Sequence, residues 1–311
     1  MGDQPEREAA PPMRIGVLMS GGDAPGMNAV LSGALDRATN LGIDLVGIEA
    51  GFGGLCERRT RALGRADVDA AAGRAGTILG AGRFPELKTP PGVQQCLDAM
   101  GELALGGLVV VGGEGSIAGA AALAAAGAMV MGVPATIDND VPGTGMTIGH
   151  DSAVNYGVRA IDDLRMTATA MPGRSFVVQT LGGYSGNLAR AVAAATGIAD
   201  VIVPETAPDL DALAARIREL TPGGHVIVVM CEGAGNAVAM ADDLSNRSGV
   251  RMHSTILGHS QRGAVPTAID RTLGRIAGSE AVDALAAGRS GLLTLSASTE
   301  SGLAAFRTPS T

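Results

Sequence analysis

Residues 13–29 read MRIGVLMSGGDAPGMNA. Ile15, Val17, Leu18 and Met19 form a short apolar run, the composition of a strand buried on both faces rather than one with a wet side. The run ends in Gly21-Gly22, where the missing Cβ atoms allow a tight turn, and Pro25 then offers a fixed φ at which a helix can start. A buried strand passing through a glycine turn into a helix is the first half of a βαβ unit. It predicts a parallel sheet with helices on its faces.

Outward from this stretch the rhythm repeats. Apolar or β-branched runs at 14–19, 43–49, 107–112, 128–133, 174–181, 200–204, 225–230 and 252–257 read as strands. Longer Ala-rich segments at 26–41, 93–104, 116–127, 151–170, 186–197, 209–220 and 265–287 read as helices. The fold class is therefore α/β, with doubly wound, mostly parallel sheets. Residues 1–12 are polar and Pro-containing with no apolar signal core, and predict a disordered leader; the Ser/Thr/Gly-rich end at 298–311 is expected to fray.

Composition narrows the function. A net charge of −8, with four Phe, two Tyr and no Trp, does not suit a nucleic-acid surface, which needs a basic stripe and stacking rings. No apolar stretch is long enough to span a bilayer, so a cytoplasmic protein without membrane contact is expected. Cys56, Cys96 and Cys231 are widely spaced and suggest neither zinc nor a disulfide framework. The single lysine, Lys88, is preceded by Leu87 and no glycine run, which rules out a Walker A loop.

Three loops at the carboxyl ends of the expected strands, and a set of basic positions on or after the later strands, carry unusual residues, and in parallel sheets those ends bind ligands. In GGDAPGMNA (21–29), Gly21 and Gly22 let backbone amides approach an anion at a helix N-terminus, although paired glycines also make turns with no ligand. In GGEGS (112–116), Gly113 and Gly115 flank Glu114, and Ser116 follows. An acid within a phosphate loop calls for a cation between them, so Glu114 reads as a Mg²⁺ ligand or else as a solvated carboxylate. In TIDND (136–140), Asp138 and Asp140 alternate and can face one centre, one taking a proton while the other helps hold metal; Asp-Asn-Asp is also ordinary turn composition. Arg83, Arg174, His259 and Arg262 supply cations near strand ends, with Glu232 after 225–230, and bidentate arginines suit phosphate.

Taken in order, GGDAPGMNA (21–29), GRFPE (82–86), GGEGS (112–116), TIDND (136–140), GHDSA (149–153) and LGHSQRG (257–263) resemble the phosphofructokinase family, over about residues 13–297. The resemblance implies two Rossmann-like domains: a larger nucleotide domain of 13–149 plus 261–288, and a smaller acceptor domain of 150–260 plus 289–311. It implies ATP and Mg²⁺ as cofactors and a sugar or sugar-phosphate acceptor. Asp138 would be the base for the acceptor hydroxyl, with Asp140 close by, Thr136 near the transferring phosphoryl and Arg83 also catalytic. Gly21, Gly22, Arg83, Phe84, Gly113, Gly115 and Ser116 fall at the nucleotide positions, and Glu114 at the metal position. Thr136, Asp138, Asp140, Arg174, Leu181, Gly182, Gly183, Glu232, His253, His259 and Arg262 fall at the acceptor positions. Arg174 would be supplied across a subunit interface, which implies a homotetramer or homodimer.

Pyrophosphate-dependent members typically carry Asp at the position of Gly115 and Lys at that of Ala135, so the pattern here favours ATP. The chain also departs from the family. Glu114 replaces an aspartate, Leu181-Gly182-Gly183 replaces Met-Gly-Arg, and His253 replaces a second interface arginine. A charge-assisted hydrogen bond is worth about 1.5–3 kcal/mol. Loss of one or two leaves fructose 6-phosphate, a different sugar, polyol or nucleoside, and a non-catalytic nucleotide-binding role as alternatives. Leu31 and Leu35 stand where allosteric members carry effector-binding arginines, so effector regulation is not expected.

Overall fold

The computed structural model describes residues 12–306. The expected leader, apart from Pro12, and the last five residues of the expected fraying end lie outside the described residues. Two sheets organise the chain. The first has the order β12-β11-β6-β5-β1-β2-β3: β1 (Arg14–Ser20), β2 (Asp44–Ile48), β3 (Thr60–Ala62), β5 (Gly107–Gly112), β6 (Val130–Pro134), β11 (Gly291–Leu295) and β12 (Ser301–Ala304). The short β4 (Ala81–Gly82) pairs with the end of β1 through Met19 and Ser20. Pairing is parallel except at the two margins, where β3 and β12 run antiparallel to their neighbours. The second sheet, β10-β7-β9-β8, is parallel throughout: β7 (Ser175–Thr180), β8 (Val201–Ile202), β9 (Ile227–Cys231) and β10 (Met252–Ile256).

Alternation along the strands divides the core. Ile15, Val17 and Met19 of β1, with Val109 and Val111 of β5, enter a cluster that continues to Phe176 and Val178 of β7 and Val229 of β9. The intervening Leu18, Leu108 and Val110 enter a second cluster with Phe52, Leu55 and Leu123. Val177, Val228 and Met230 enter a third, on the outer face of the second sheet. Each sheet thus buries both faces, and the two share one apolar layer between them.

The helices are α1 (Met27–Leu41), α2 (Gly51–Cys56), α3 (Arg65–Ala71), α4 (Pro90–Glu102), α5 (Glu114–Ala125), α6 (His150–Ala170), α7 (Asn187–Thr196), α8 (Leu210–Leu220), α9 (Ala237–Ser248) and α10 (Ala268–Ala286). Their ends follow from local chemistry. Thr89, Asp209, Asn236 and Thr267 accept backbone N–H groups as N-caps of α4, α8, α9 and α10, and Gly42, Gly197 and Gly249 adopt the left-handed conformation that stops α1, α7 and α9. Where α1 crosses α10 the backbones nearly touch: a Cβ on Gly33 would lie 1.9 Å from Arg275 O, and one on Gly278 2.1 Å from Val30 O. Leu31 is buried in this layer, and Leu35 packs against the same cluster. Among the described residues no helix is long and apolar enough to cross a membrane.

The smaller unit is expected to include 289–311; within the described part of that stretch β11 pairs with β6 (Gly291 with Met131, Leu292 with Gly132) and β12 pairs with β11, so both strands extend the first sheet. Leu293 and Leu295 join the shared core and Leu292 packs with Ile117 and Val141. Burying these leucines along an otherwise open β6 edge is what places the segment there.

Candidate active site

Strand order reverses at β1: the chain passes from β1 outward to β2, then returns to place β5 on the other side. The loops after β1 and β5 therefore diverge and leave a crevice at the carboxyl edge of the sheet. Gly21, at φ 84°, lines it from one side; a Cβ there would lie 3.3 Å from Ser116 Oγ of α5, which ties the first glycine turn to the second. Gly113 immediately precedes α5, and a Cβ on it would lie 3.3 Å from Thr136 Cβ. Gly115 differs: nothing lies within 4 Å of a Cβ built there, so the N-terminal turn of α5 opens onto free space. Backbone N–H groups converging on such a space form an anion cradle.

Arg83 and Phe84 follow β4, which pairs with the last two residues of β1, so both stand beside the glycine turn. Arg83 is exposed, while Phe84 packs its ring into the second core cluster. Glu114 is the first residue of α5 and is exposed at the mouth of the crevice. Among the described residues no group of three or more His, Cys, Asp and Glu is placed to hold a metal ion. One protein carboxylate, Glu114, beside an open helix N-terminus is nonetheless a donor set that would suit Mg²⁺, which takes most of its ligands from water and phosphate.

The loop after β6 carries Thr136, Asp138 and Asp140. Asp138 N–H donates to Thr136 Oγ1 (3.2 Å), while Asp138 Oδ1 is buried with no hydrogen-bond partner. Burial, reinforced by the neighbouring Asp140 and opposed by Arg262, pushes the Asp138 carboxyl up to about 6. Asp140 is also raised by burial. A carboxylate held out of water with an idle oxygen is poised to take a proton near neutrality.

The second sheet closes the far side with the loops after β7, β9 and β10. Gly183 stands opposite Asp138: a Cβ there would lie 3.9 Å from Asp138 Oδ2. Its N–H donates to Glu232 Oε1 (2.9 Å), and Gly182, at φ 133°, makes the turn. Leu181 is buried in the shared core, so only its backbone borders the turn, and its N–H donates to Gln261 Oε1 (2.7 Å). Arg262 reaches back to the first unit, where Nη1 donates to Asp23 O (3.0 Å) and occupies the space left by the missing Cβ of Gly22. His259 is exposed in the short helical turn Gly258–Gln261 just before it.

Arg174 and His253 are not brought to this centre. Arg174 precedes β7, and His253 pairs with Phe176 near the start of β10. The six residues of β7 put about 20 Å between Arg174 and the Leu181 turn. His253 tilts against the Phe176 ring, and partial burial together with Arg251 and Arg174 lowers its pKa below the ordinary value.

Some residues that shape the site were given no role from the sequence. Gln261 is fully buried and also donates to Ala153 O (3.3 Å), fastening the β10 loop to both β7 and α6. Asn187 Nδ2 donates to Asn139 O (2.8 Å) across the crevice. Gln261 lies inside the quoted LGHSQRG and Asn187 four residues beyond Gly183, but an amide's partner depends on tertiary packing that no local pattern announces.

Comparison with known proteins places the chain clearly. Residues 14–285 match the model of the family described as Phosphofructokinase. The chain is 42% identical over 279 residues to the ATP-dependent 6-phosphofructokinase of Natranaerobius thermophilus, covering 89% of this chain and 87% of that protein. It is 41% identical over 281 residues to the enzyme of the same name from Enterococcus faecalis, covering 90% and 88%. Among solved structures, the T-state phosphofructokinase of Pichia pastoris superposes with a TM-score of 0.87 at 28% identity, over 98% of this chain and 36% of that one. Phosphofructokinase from Saccharomyces cerevisiae gives 0.81 at 27% identity, over 91% and 43%. This chain therefore spans less than half the length of each yeast protein.

Proposed function

The chain belongs to the phosphofructokinase family, and from that premise we propose that it is an ATP-dependent kinase transferring the γ-phosphoryl group to a hydroxyl of fructose 6-phosphate. The observation that carries this reading is Asp138: a buried carboxyl with an unpartnered Oδ1, set between the glycine cradle of the first sheet and the loops of the second. As the acceptor hydroxyl attacks, Asp138 takes its proton. Phosphoryl transfer needs little covalent chemistry from the protein, so the remaining work is positioning and charge. The N-terminal turn of α5 presents N–H groups to the phosphates, and Ser116 packs that turn against Gly21. Arg83, exposed beside the cradle, offers a guanidinium to the charge that builds on the transferred group. Mg²⁺ bound with the nucleotide would neutralise phosphate charge, with Glu114 as its protein ligand. Arg262 is placed between Asp138 and the first glycine turn, where it can hold the acceptor and draw the two units together.

Arg174 and His253 belong to this reading only in an assembly. At the far edge of the second sheet they cannot reach Asp138 of their own chain, and a homo-oligomer in which they complete a neighbour's acceptor site accounts for their position.

A second reading, a kinase for another sugar, polyol or nucleoside, is favoured by Gly183, which leaves open space opposite Asp138 where the family carries an arginine. ADP release from ATP and Mg²⁺ by the purified protein separates the two. Stimulation by fructose 6-phosphate, abolished by chelating Mg²⁺, supports the first. Stimulation only by another acceptor replaces it, and no stimulation by any acceptor points to a non-catalytic nucleotide-binding protein.

A further inference from the structure

A strap of four residues, Thr147–His150, lies beneath the loop that carries Asp138 and grips it at successive points. Ile148 N–H donates to Pro134 O (3.1 Å), and Thr147 Oγ1 donates to Thr136 O (2.6 Å) and lies 3.3 Å from Asn139 Oδ1. His150 Nδ1 meets Ile137 O at 2.7 Å, and a carbonyl partner makes Nδ1 the protonated nitrogen. The strap therefore holds Pro134, Thr136 and Ile137 by their carbonyls and lies against the Asn139 side chain. Those are the residues on either side of the Asp138 peptide. Thr147 is fully buried and His150 nearly so. Asn139 is held at φ 51°, a left-handed conformation that needs support in a non-glycine residue.

The strap is itself anchored from a distant part of the chain. Asp270, fully buried in the first turn of α10, accepts from Gly149 N (2.8 Å) through Oδ1 and from Ser152 N (2.8 Å) and Ser152 Oγ (2.5 Å) through Oδ2. Thr267 Oγ1 donates to Asp151 Oδ2 (2.6 Å) and Thr267 N to Ser152 Oγ (3.0 Å), so the first turns of α6 and α10 cap each other. A Cβ on Gly26, at the start of α1, would lie 2.7 Å from Ile148 Cγ2 and 3.1 Å from Asp270 O, which closes the third side. The N-terminus of α6 thus donates to a carboxylate that sits in the first turn of α10, so the positive ends of two helix dipoles face it.

We propose that His150 and Thr147 are positioning residues for Asp138, fixing the Ile137–Asp138 peptide so that the unpartnered Oδ1 meets the acceptor hydroxyl. The inference rests on Asp138 being the base. Placement errors near 1 Å cost about a hundredfold in rate when geometry governs the chemistry.

His150→Leu removes the donor at similar bulk, whereas His150→Asn keeps an N–H donor near the Nδ1 position. Leucine is expected to lower kcat at least about tenfold with KM for ATP unchanged, and asparagine to restore kcat to within about twofold. Thr147→Val and Thr147→Ser form a second pair with the same expected split, and serve if the histidine variants do not fold. Hydrogen exchange of the peptide spanning 134–141 in the unliganded protein is the readout independent of activity. It should speed up in the leucine and valine variants and hold in the asparagine and serine ones. Equal kcat in leucine and native proteins, equal losses in both members of a pair, or exchange unchanged in all variants overturns the proposal. A native protein without kinase activity would refute the proposed function instead, and the exchange comparison would still decide the strap's role.

Discussion

Asp138 carries two requirements that pull in opposite directions. The base proposed here must be ionised at working pH, yet burial favours the neutral form of Asp138 and holds it near 6. Rate is therefore expected to fall below about pH 6 as the carboxyl protonates, and Asp138→Asn to lower kcat by about 10²–10⁴ at pH 8, read from initial rates. Stability moves the other way. The folded pKa lies above the ordinary 3.8, so the folded state binds the proton more tightly. That stability is complete below about pH 3.8 and is lost as pH rises through 6. An amide is free of the penalty for ionising. Asp138→Asn should melt above the native protein at pH 8, and the gap should narrow toward pH 4. A lower melting temperature for the variant at pH 8 would contradict the burial argument. Asp138 itself was legible from TIDND and its place after a strand, as were the glycines of both turns. The partners that fix it, Thr147 and His150, were not, because a hydroxyl or imidazole aimed at a carbonyl leaves no mark on hydrophobic pattern.

At the scale of elements, each strand expected from a continuous apolar run appears within a few residues of its expected ends, since burial on both faces writes itself into composition. The strands that went unread, β3, β4, β11 and β12, lie at margins or are two to five residues long. Helices α2, α3 and α9 were also missed. GFGGLC in α2 has three glycines and no helix propensity, and is held by packing of Phe52 and Leu55. By contrast α9 had a usable signal: Asn236 as N-cap, then Ala237, Ala241, Leu244 and Ser248 buried on one face. The α1/α10 crossing shows what glycine supplies beyond flexibility, because Gly33 and Gly278 let the backbones approach where any Cβ would collide. Gly33→Ala, whose Cβ would fall 1.9 Å from Arg275 O, is expected to cost at least about 2 kcal/mol, measured by urea unfolding. Gly42→Ala, with nothing within 4 Å but φ 67°, should cost only the backbone strain of about 1 kcal/mol.

For the molecule as a whole, Arg174 and His253 test the assembly. Arg174→Ala should raise KM for the acceptor although the side chain stands about 20 Å from the Leu181 turn of its own chain. Mixing inactive Asp138→Asn with Arg174→Ala subunits under exchange conditions should regenerate sites having native residues at both positions. Recovery of acceptor affinity in the mixture, seen in steady-state kinetics, is the expected result, and none would place Arg174 outside the site. The first sheet has one more consequence. Its strands come from both ends of the sequence: β1 to β6 precede residue 135, while β11, β12 and the covering α10 come only after residue 267. The second sheet is contiguous, from residue 175 to 256. During synthesis it can therefore complete its pairing while still tethered to the ribosome. The earlier-made strands must wait, with the β6 edge and the α1 face uncovered, until α10, β11 and β12 have emerged. In order of birth the glycine turns after β1 and β5 precede the second sheet, yet they can mature only after it.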